Sequence, residues 1–183
     1  MKSLISLVVF VFVAIIAWWS TTRYFGDDDL PSAQSKSYVE IFMNEFEMIA
    51  MNENGTPAYR LNGKHLERYN NSDDTRIDQP VIKMLETGNQ WIVTADFALL
   101  NDKEDTIQLN DNVVMQQQNI EPAVTIRTQS MLFDTKTQVA QTNARVNITQ
   151  GKSQLTSTGM TYNNITSELE LKSSVKGHYL PYE

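Results

Sequence analysis

The sequence predicts an all-β domain of stacked antiparallel hairpins, preceded by one N-terminal transmembrane helix. Three observations lead there. An uncharged apolar run opens the chain, apolar and polar residues alternate with period two over much of the remainder, and the alternation recurs as an internal repeat of about 30 residues. The 183 residues suit one domain of ordinary size, and 41% apolar residues suffice for a core.

Residues 4–19 (LISLVVFVFVAIIAWW) contain one Ser and no charge. As a helix they would span about 24 Å, and flanking Ser3, Ser20, Thr21 and Thr22 extend this toward the ~30 Å hydrocarbon core. A cleaved signal peptide competes with this reading, but the run ends in Trp18-Trp19 without the small residues that processing needs. Paired Trp followed by Tyr24 suits an aromatic belt at the membrane surface. Only Lys2 and Arg23 are charged within residues 1–25, so a short head and a long acidic remainder favour a cytoplasmic N-terminus and an outward C-terminal domain. Three segments follow: an anchor with a short cytoplasmic start at 1–25, a polar linker at 26–37 (GDDDLPSAQSKS), and a β-domain at 38–183.

Residues 38–51 fit either helix or strand, although Phe46, Met48 and Ala50 alternate with Glu47 in the second half. Asn54-Gly55 is a hairpin signal, with Gly55 suited to a positive-φ turn position. Residues 57–69 alternate Tyr59 and Leu61 with Arg60 and Asn62. Beyond about residue 52 there is no 3.6-residue apolar stripe, while Thr, Val and Ile are plentiful.

The repeat is clearest from Leu100, Phe133 and Tyr162 as origins. Two residues before them stand Ala98, Met131 and Met160; seven after, Ile107, Ala140 and Leu169; nine after, Leu109, Thr142 and Leu171; thirteen after, Val113, Val146 and Val175. Eight, ten and twelve after the origins, every residue is polar: Gln108, Asn110, Asn112, Gln141, Asn143, Arg145, Glu170, Lys172 and Ser174. Helical periodicity would mix the two sets, whereas a half-buried antiparallel sheet separates them. A fainter copy starts at Tyr69, with Ile82 thirteen residues later. Each hairpin has an apolar face that it cannot bury alone, so stacking into a two-walled jelly roll or sandwich is expected. The inward faces then form either a dry core or a groove for something apolar. Gly159, inside a strand pattern (LTSTGMTY), marks a bulge or a close backbone approach.

Composition excludes much chemistry. The 15 basic residues against 22 acidic give −7, which leaves no basic footprint for nucleic acid. No Cys is present and only two His, so no thiolate nucleophile or Cys-ligated metal site can exist. His65 and Glu67 share a strand face and could form an acid–base pair, but without a recognisable nucleophile a hydrogen-bonded structural His is the simpler reading. Carboxylates at Asp73, Asp74, Asp102, Glu104 and Asp105 fall in predicted turns, where charges are solvated. No cofactor, metal site or enzymatic activity is expected.

Together these pieces resemble the LptC family, the single-span component of the lipopolysaccharide export machinery. The likeness runs through the N-terminal span, NENGTPAYRLNGKHLERY with QPVI (79–82), WIVTADFALL (91–100), IQLNDNV (107–113), IRTQSMLFD (126–134), LTSTGM (155–160) and LELKSSVKGHYLP (169–181). It implies a twisted, V-shaped β-jelly roll of the LptA/OstA kind, whose interior holds lipopolysaccharide acyl chains. It further implies a periplasmic domain on an inner-membrane anchor, serving outer-membrane biogenesis. Lipid would pass from the inner-membrane ABC transporter, met through the N-terminal side and anchor, to the bridge protein LptA, met through the C-terminal edge. Residues matching the family's inward pattern are Phe46, Met48, Tyr59, Leu61, Ile77, Ile82, Leu100, Leu109, Phe133, Val146, Tyr162, Leu169 and Leu171. The partner-binding edge would carry Leu171, Ser173, Val175 and Gly177.

Overall fold

The computed structural model describes Ile15, Trp18 and residues 37–52, 54–85 and 90–180. The chain divides into two compact units, Met1–Lys36 and Ser37–Glu183. In the first, Ile15 and Trp18 have helical backbone and exposed side chains; the rest of the expected anchor and residues 26–36 of the expected linker lie outside the described residues. No helix among the described residues is long and apolar enough to cross a membrane.

The alternating segments of the second unit become eleven strands, with no helix among its described residues. They are β1 (Val39–Met51), β2 (Pro57–Tyr69), β3 (Asp74–Asp78), β4 (Val81–Met84), β5 (Trp91–Thr94), β6 (Phe97–Asn101), β7 (Thr106–Gln117), β8 (Val124–Asp134), β9 (Val139–Gln150), β10 (Ser153–Asn163) and β11 (Glu168–His178). Residues 39–51, which the sequence left between helix and strand, form one continuous strand against β2. Isolated alternation does not decide between the two states; here β2 supplies the ladder.

All pairings are antiparallel, and the order is simpler than eleven strands suggest. β3 and β4 are successive halves of one rung, pairing with residues 65–68 and 59–62 of β2. β5 and β6 are halves of the next, pairing with residues 114–117 and 106–110 of β7. β4 meets β5, and β3 meets β6. With these two pairs joined, the eleven described strands make nine rungs of an up-and-down meander in chain order. Two successive rungs and their turns account for the repeat of roughly 30 residues.

Every long rung except β2 carries a left-handed residue, a register slip or a boundary between two strands near its middle. Left-handed backbone occurs there at Glu45, Gln79, Asp111, Asn112, Gly159 and Ser174. Registers slip beside it between β7 and β8, β8 and β9, β9 and β10, and β10 and β11. An extra residue leaves ladder groups unpaired and bends the strand. A polar seam takes up those groups. The Gln79 amide donates to the Asp96 carbonyl at 2.9 Å, and the Asp96 amide donates to the Asp111 carbonyl at 3.0 Å. Asn112 Nδ2 donates to Asp96 Oδ2 at 2.7 Å, and Gln129 Nε2 donates to Asp111 Oδ1.

Bending the rungs along one line folds the meander into two half-sheets, one containing β3 and β6, the other β4 and β5. Their apolar faces meet. Tyr59 of the second half packs edge-on against Phe133 of the first, with ring centroids 6.0 Å apart. Trp91 and Tyr162 do the same at 5.2 Å, and Trp91 Nε1 donates to the Tyr162 hydroxyl at 2.7 Å. One core cluster therefore draws on both halves, including Leu61, Ile82, Met115 and Ile126 with Ile77, Ile107, Leu109 and Met160. Burying such a side chain contributes about 1.5–3 kcal/mol each, which is what closes the fold against chain entropy.

Turns are held by their own side chains. At the β1–β2 turn, Asn52 Oδ1 accepts from the amides of Asn54 and Thr56, and Gly55 takes φ 75°. Between β8 and β9, the Asp134 carboxylate accepts from the amides of Thr137 at 2.7 Å and Lys136 at 3.0 Å. The Thr137 amide bond is the main reason that the Asp134 pKa lies below its ordinary value. Because the folded value is depressed, this stabilisation is present above the unfolded pKa and is lost as pH falls through the folded one. Asp134→Ala is expected to cost about 1–2 kcal/mol at neutral pH in a urea titration, since two amides lose a charged acceptor. The difference from wild type should shrink below about pH 4, where the unfolded carboxyl is protonated.

Candidate functional site

The sequence expectations converge on two places: the interior between the half-sheets and the free edges of the meander. Of the inward residues, Phe46, Leu61, Ile77, Ile82, Leu109, Phe133, Val146 and Tyr162 are buried. Tyr59, Leu100 and Leu171 are partly buried against the same core. The interior is thus filled by the chain's own side chains and closed in this conformation.

Met48 and Leu169 differ: each is 37% exposed. Their cross-strand partners, Leu61 and Tyr162, are buried, so both point inward. They lie on β1 and β11, the terminal rungs, where no next strand covers them. Val175 occupies the position of buried Val113 and Val146 in the repeat, yet it is 50% exposed for the same reason. Contributors that the sequence reading did not assign to the interior include Trp91, Met115 and Ile126. Trp91 opens the strand WIVT, whose buried positions are Trp91 and Val93, and that alternation was the available signal.

A cleft of about 630 Å³ opens beside the closed interior. The β1–β2 turn (Met51, Asn52, Asn54) forms one side with Tyr59, and Asp105, Lys136 and Ile165 from the opposite turns form the other. Met51 and Ile165 are exposed apolar residues on its rim. Burial is the main cause of a raised Tyr59 pKa, opposed by a hydrogen bond with Thr135 and reinforced by Asp102 and Asp105. The phenol is therefore neutral at physiological pH. Tyr59 thus brings a small polar group to the cleft wall while its ring packs against Phe133.

The two edges are unlike. Among the described residues β11 pairs only with β10, and Leu171, Ser173, Val175 and Gly177 all lie on it. Beyond it Tyr179 and Leu180 are exposed. β1 pairs, among the described residues, only with β2; it is more apolar, exposing Val39, Ile41, Phe42, Met43, Ile49 and Met51. An edge this long and apolar is normally blunted or covered.

Gly159 stands behind the β11 edge. Its φ is 79°, and a Cβ there would lie 2.9 Å from Lys172 Cδ and 3.3 Å from the Thr142 carbonyl oxygen. The register between β9 and β10 slips beside it, with the extra residue on β9. The position is crowded, and the register irregularity lies on the neighbouring strand rather than at Gly159 itself. His65 Nδ1 lies 2.7 Å from Asn44 Oδ1, and its Nε2 is 3.8 Å from Glu67. This is a half-buried histidine hydrogen-bonded to its strand neighbour. No group of metal-ligating side chains occurs among the described residues.

An antiparallel roll with an apolar interior and, among the described residues, a terminal strand paired on one side only at each end defines the class of β-domain to which this chain belongs. The chain belongs to the LptC-related family of lipopolysaccharide-assembly proteins, whose model matches residues 6–180. It is therefore a component of lipopolysaccharide transport. No curated protein matches the chain.

Proposed function

We propose that the protein is a non-enzymatic carrier: it takes lipopolysaccharide acyl chains into the interior of the roll and passes them from the inner-membrane ABC transporter to LptA. The apolar run at residues 4–19 anchors it in the inner membrane, with the N-terminus cytoplasmic and the β-domain periplasmic. The transporter meets the N-terminal side, and LptA adds a strand to the C-terminal edge. The observation that carries this reading is one apolar interior running between two unpaired edges, β1 and β11.

Because the interior is filled by its own side chains, loading requires the half-sheets to part. The Tyr59–Phe133 and Trp91–Tyr162 contacts are the ones that must yield. Each buried methylene of an acyl chain returns about 0.8 kcal/mol. The same closure favours a second reading, a tethered adaptor with an ordinary dry core.

Assignment of the edges has its own test. Deleting residues 169–183 removes nearly all of β11 and exposes β10. The truncated protein should lose LptA in a copurification experiment while retaining the transporter. Retention of LptA with loss of the transporter would reverse the proposed polarity.

A further inference from the structure

Of the five described arginines, three face an acidic partner: Arg60 with Glu47, Arg68 with Glu40, and Arg76 with Asp78. Arg127 and Arg145 have none among the described residues, in a chain whose net charge is −7. These two are neighbours. Arg127 on β8 is directly opposite Asn147 on β9, and Arg145 is two residues from Asn147 on the same outward face. Two guanidinium groups on one diagonal of a sheet repel each other, a cost that no carboxylate here offsets.

Both line a depression of about 560 Å³ on the outer face of the second half-sheet, away from the apolar interior. Its other polar side chains include Asn147, Gln154 and Thr156, and none of its lining residues is acidic. Gln154 Nε2 donates to Asn147 Oδ1 at 3.2 Å, which leaves the Asn147 amide hydrogens for a ligand. Asp111, beside the depression in sequence, already accepts a hydrogen bond from Gln129.

We infer that this depression is an anion site for a phosphomonoester, held between the Arg127 and Arg145 guanidinium groups. A carboxylate presents one planar edge and engages one arginine fork, whereas a phosphomonoester carries close to two charges and enough oxygens for two forks. The volume exceeds that of a phosphate group. It leaves room for an attached alcohol or sugar, whose hydroxyls Asn147, Gln154 and Thr156 are able to bind. The inference is independent of the acyl-chain reading, since it concerns the opposite face of the sheet.

Glucose 6-phosphate titrated into the full chain in a non-ionic detergent, followed by the arginine Nε–H resonances, tests it. Saturable shifts at Arg127 and Arg145, absent with glucose, are expected. Arg127→Gln with Arg145→Gln should weaken binding at least tenfold; Arg127→Lys should fall between, and Arg76→Gln should leave it unchanged within twofold. Vesicles containing phosphatidic acid, compared with phosphatidylcholine alone, form the second arm. Capture by these vesicles but not by the soluble sugar phosphate identifies a lipid headgroup as the source of the phosphomonoester, and the reverse identifies a soluble ligand. No saturable response to either probe, or a response that survives loss of both arginines, overturns the inference.

Discussion

Gly159→Arg is expected to cut binding to a C-terminal strand partner more than tenfold while leaving most of the roll folded. Two causes act together. A non-glycine residue in the left-handed region costs about 1–2 kcal/mol. The new Cβ also collides with the Lys172 side chain and crowds the Thr142 carbonyl. Lys172 belongs to β11, the rung held from one side only, so β11 is what yields. The core beneath, including Met160 and Ala140, belongs to better-held rungs. Calorimetry with the partner, alongside a urea titration of the mutant, separates the two effects. Gly159→Ala should show the strain with less displacement. Wild-type affinity in the arginine variant would show that β11 tolerates the intrusion and that the edge does not depend on this contact.

Phe133→Ala should destabilise the lipid-free protein by about 3–5 kcal/mol, because a large buried ring is replaced by a cavity that relaxes only in part. Phe133 is 2% exposed and supports the Tyr59 ring from the facing half-sheet. Removing it also takes away one of the contacts that close the roll. Lipopolysaccharide should then recover part of the lost stability, since an acyl chain fills the space that the ring vacated. A urea titration with and without lipid reads both effects. A loss below about 1 kcal/mol would mean that the half-sheets do not depend on this contact.

Much of this was legible in the sequence, for a definite reason. Period-two alternation marks the faces of a strand wherever it lies, so Ile107, Leu109, Ala140 and Val146 were assignable without coordinates, and all are buried. The resemblance carried by WIVTADFALL and the neighbouring segments agrees with the family match. The bend was not legible. Glu45, Gln79, Asp111 and Ser174 are ordinary polar residues, and nothing in their identity distinguishes left-handed backbone from a solvent-facing strand position. The slip near residues 128–132 also reverses the parity of β8, so Ile126 and Phe133 face the same interior although their spacing is odd. Exposure at the ends was hidden too. Leu169 and Val175 follow the same pattern as their buried counterparts, and only the missing neighbour leaves them open. The Trp91–Tyr162 contact joins residues 71 apart, a separation that alternation alone does not relate.

The central claim is that the interior of the roll carries lipid, and site-specific photo-crosslinking in cells tests it most directly. A photoreactive side chain replaces Phe133 or Leu171, which face inward, or Asn143 or Lys172, which are exposed and joined by a 3.1 Å hydrogen bond on the outer face. Lipopolysaccharide adducts should form from the first pair and not from the second. Equal capture from both faces, or none from the inward pair, would contradict the account and leave the roll an adaptor with a dry core.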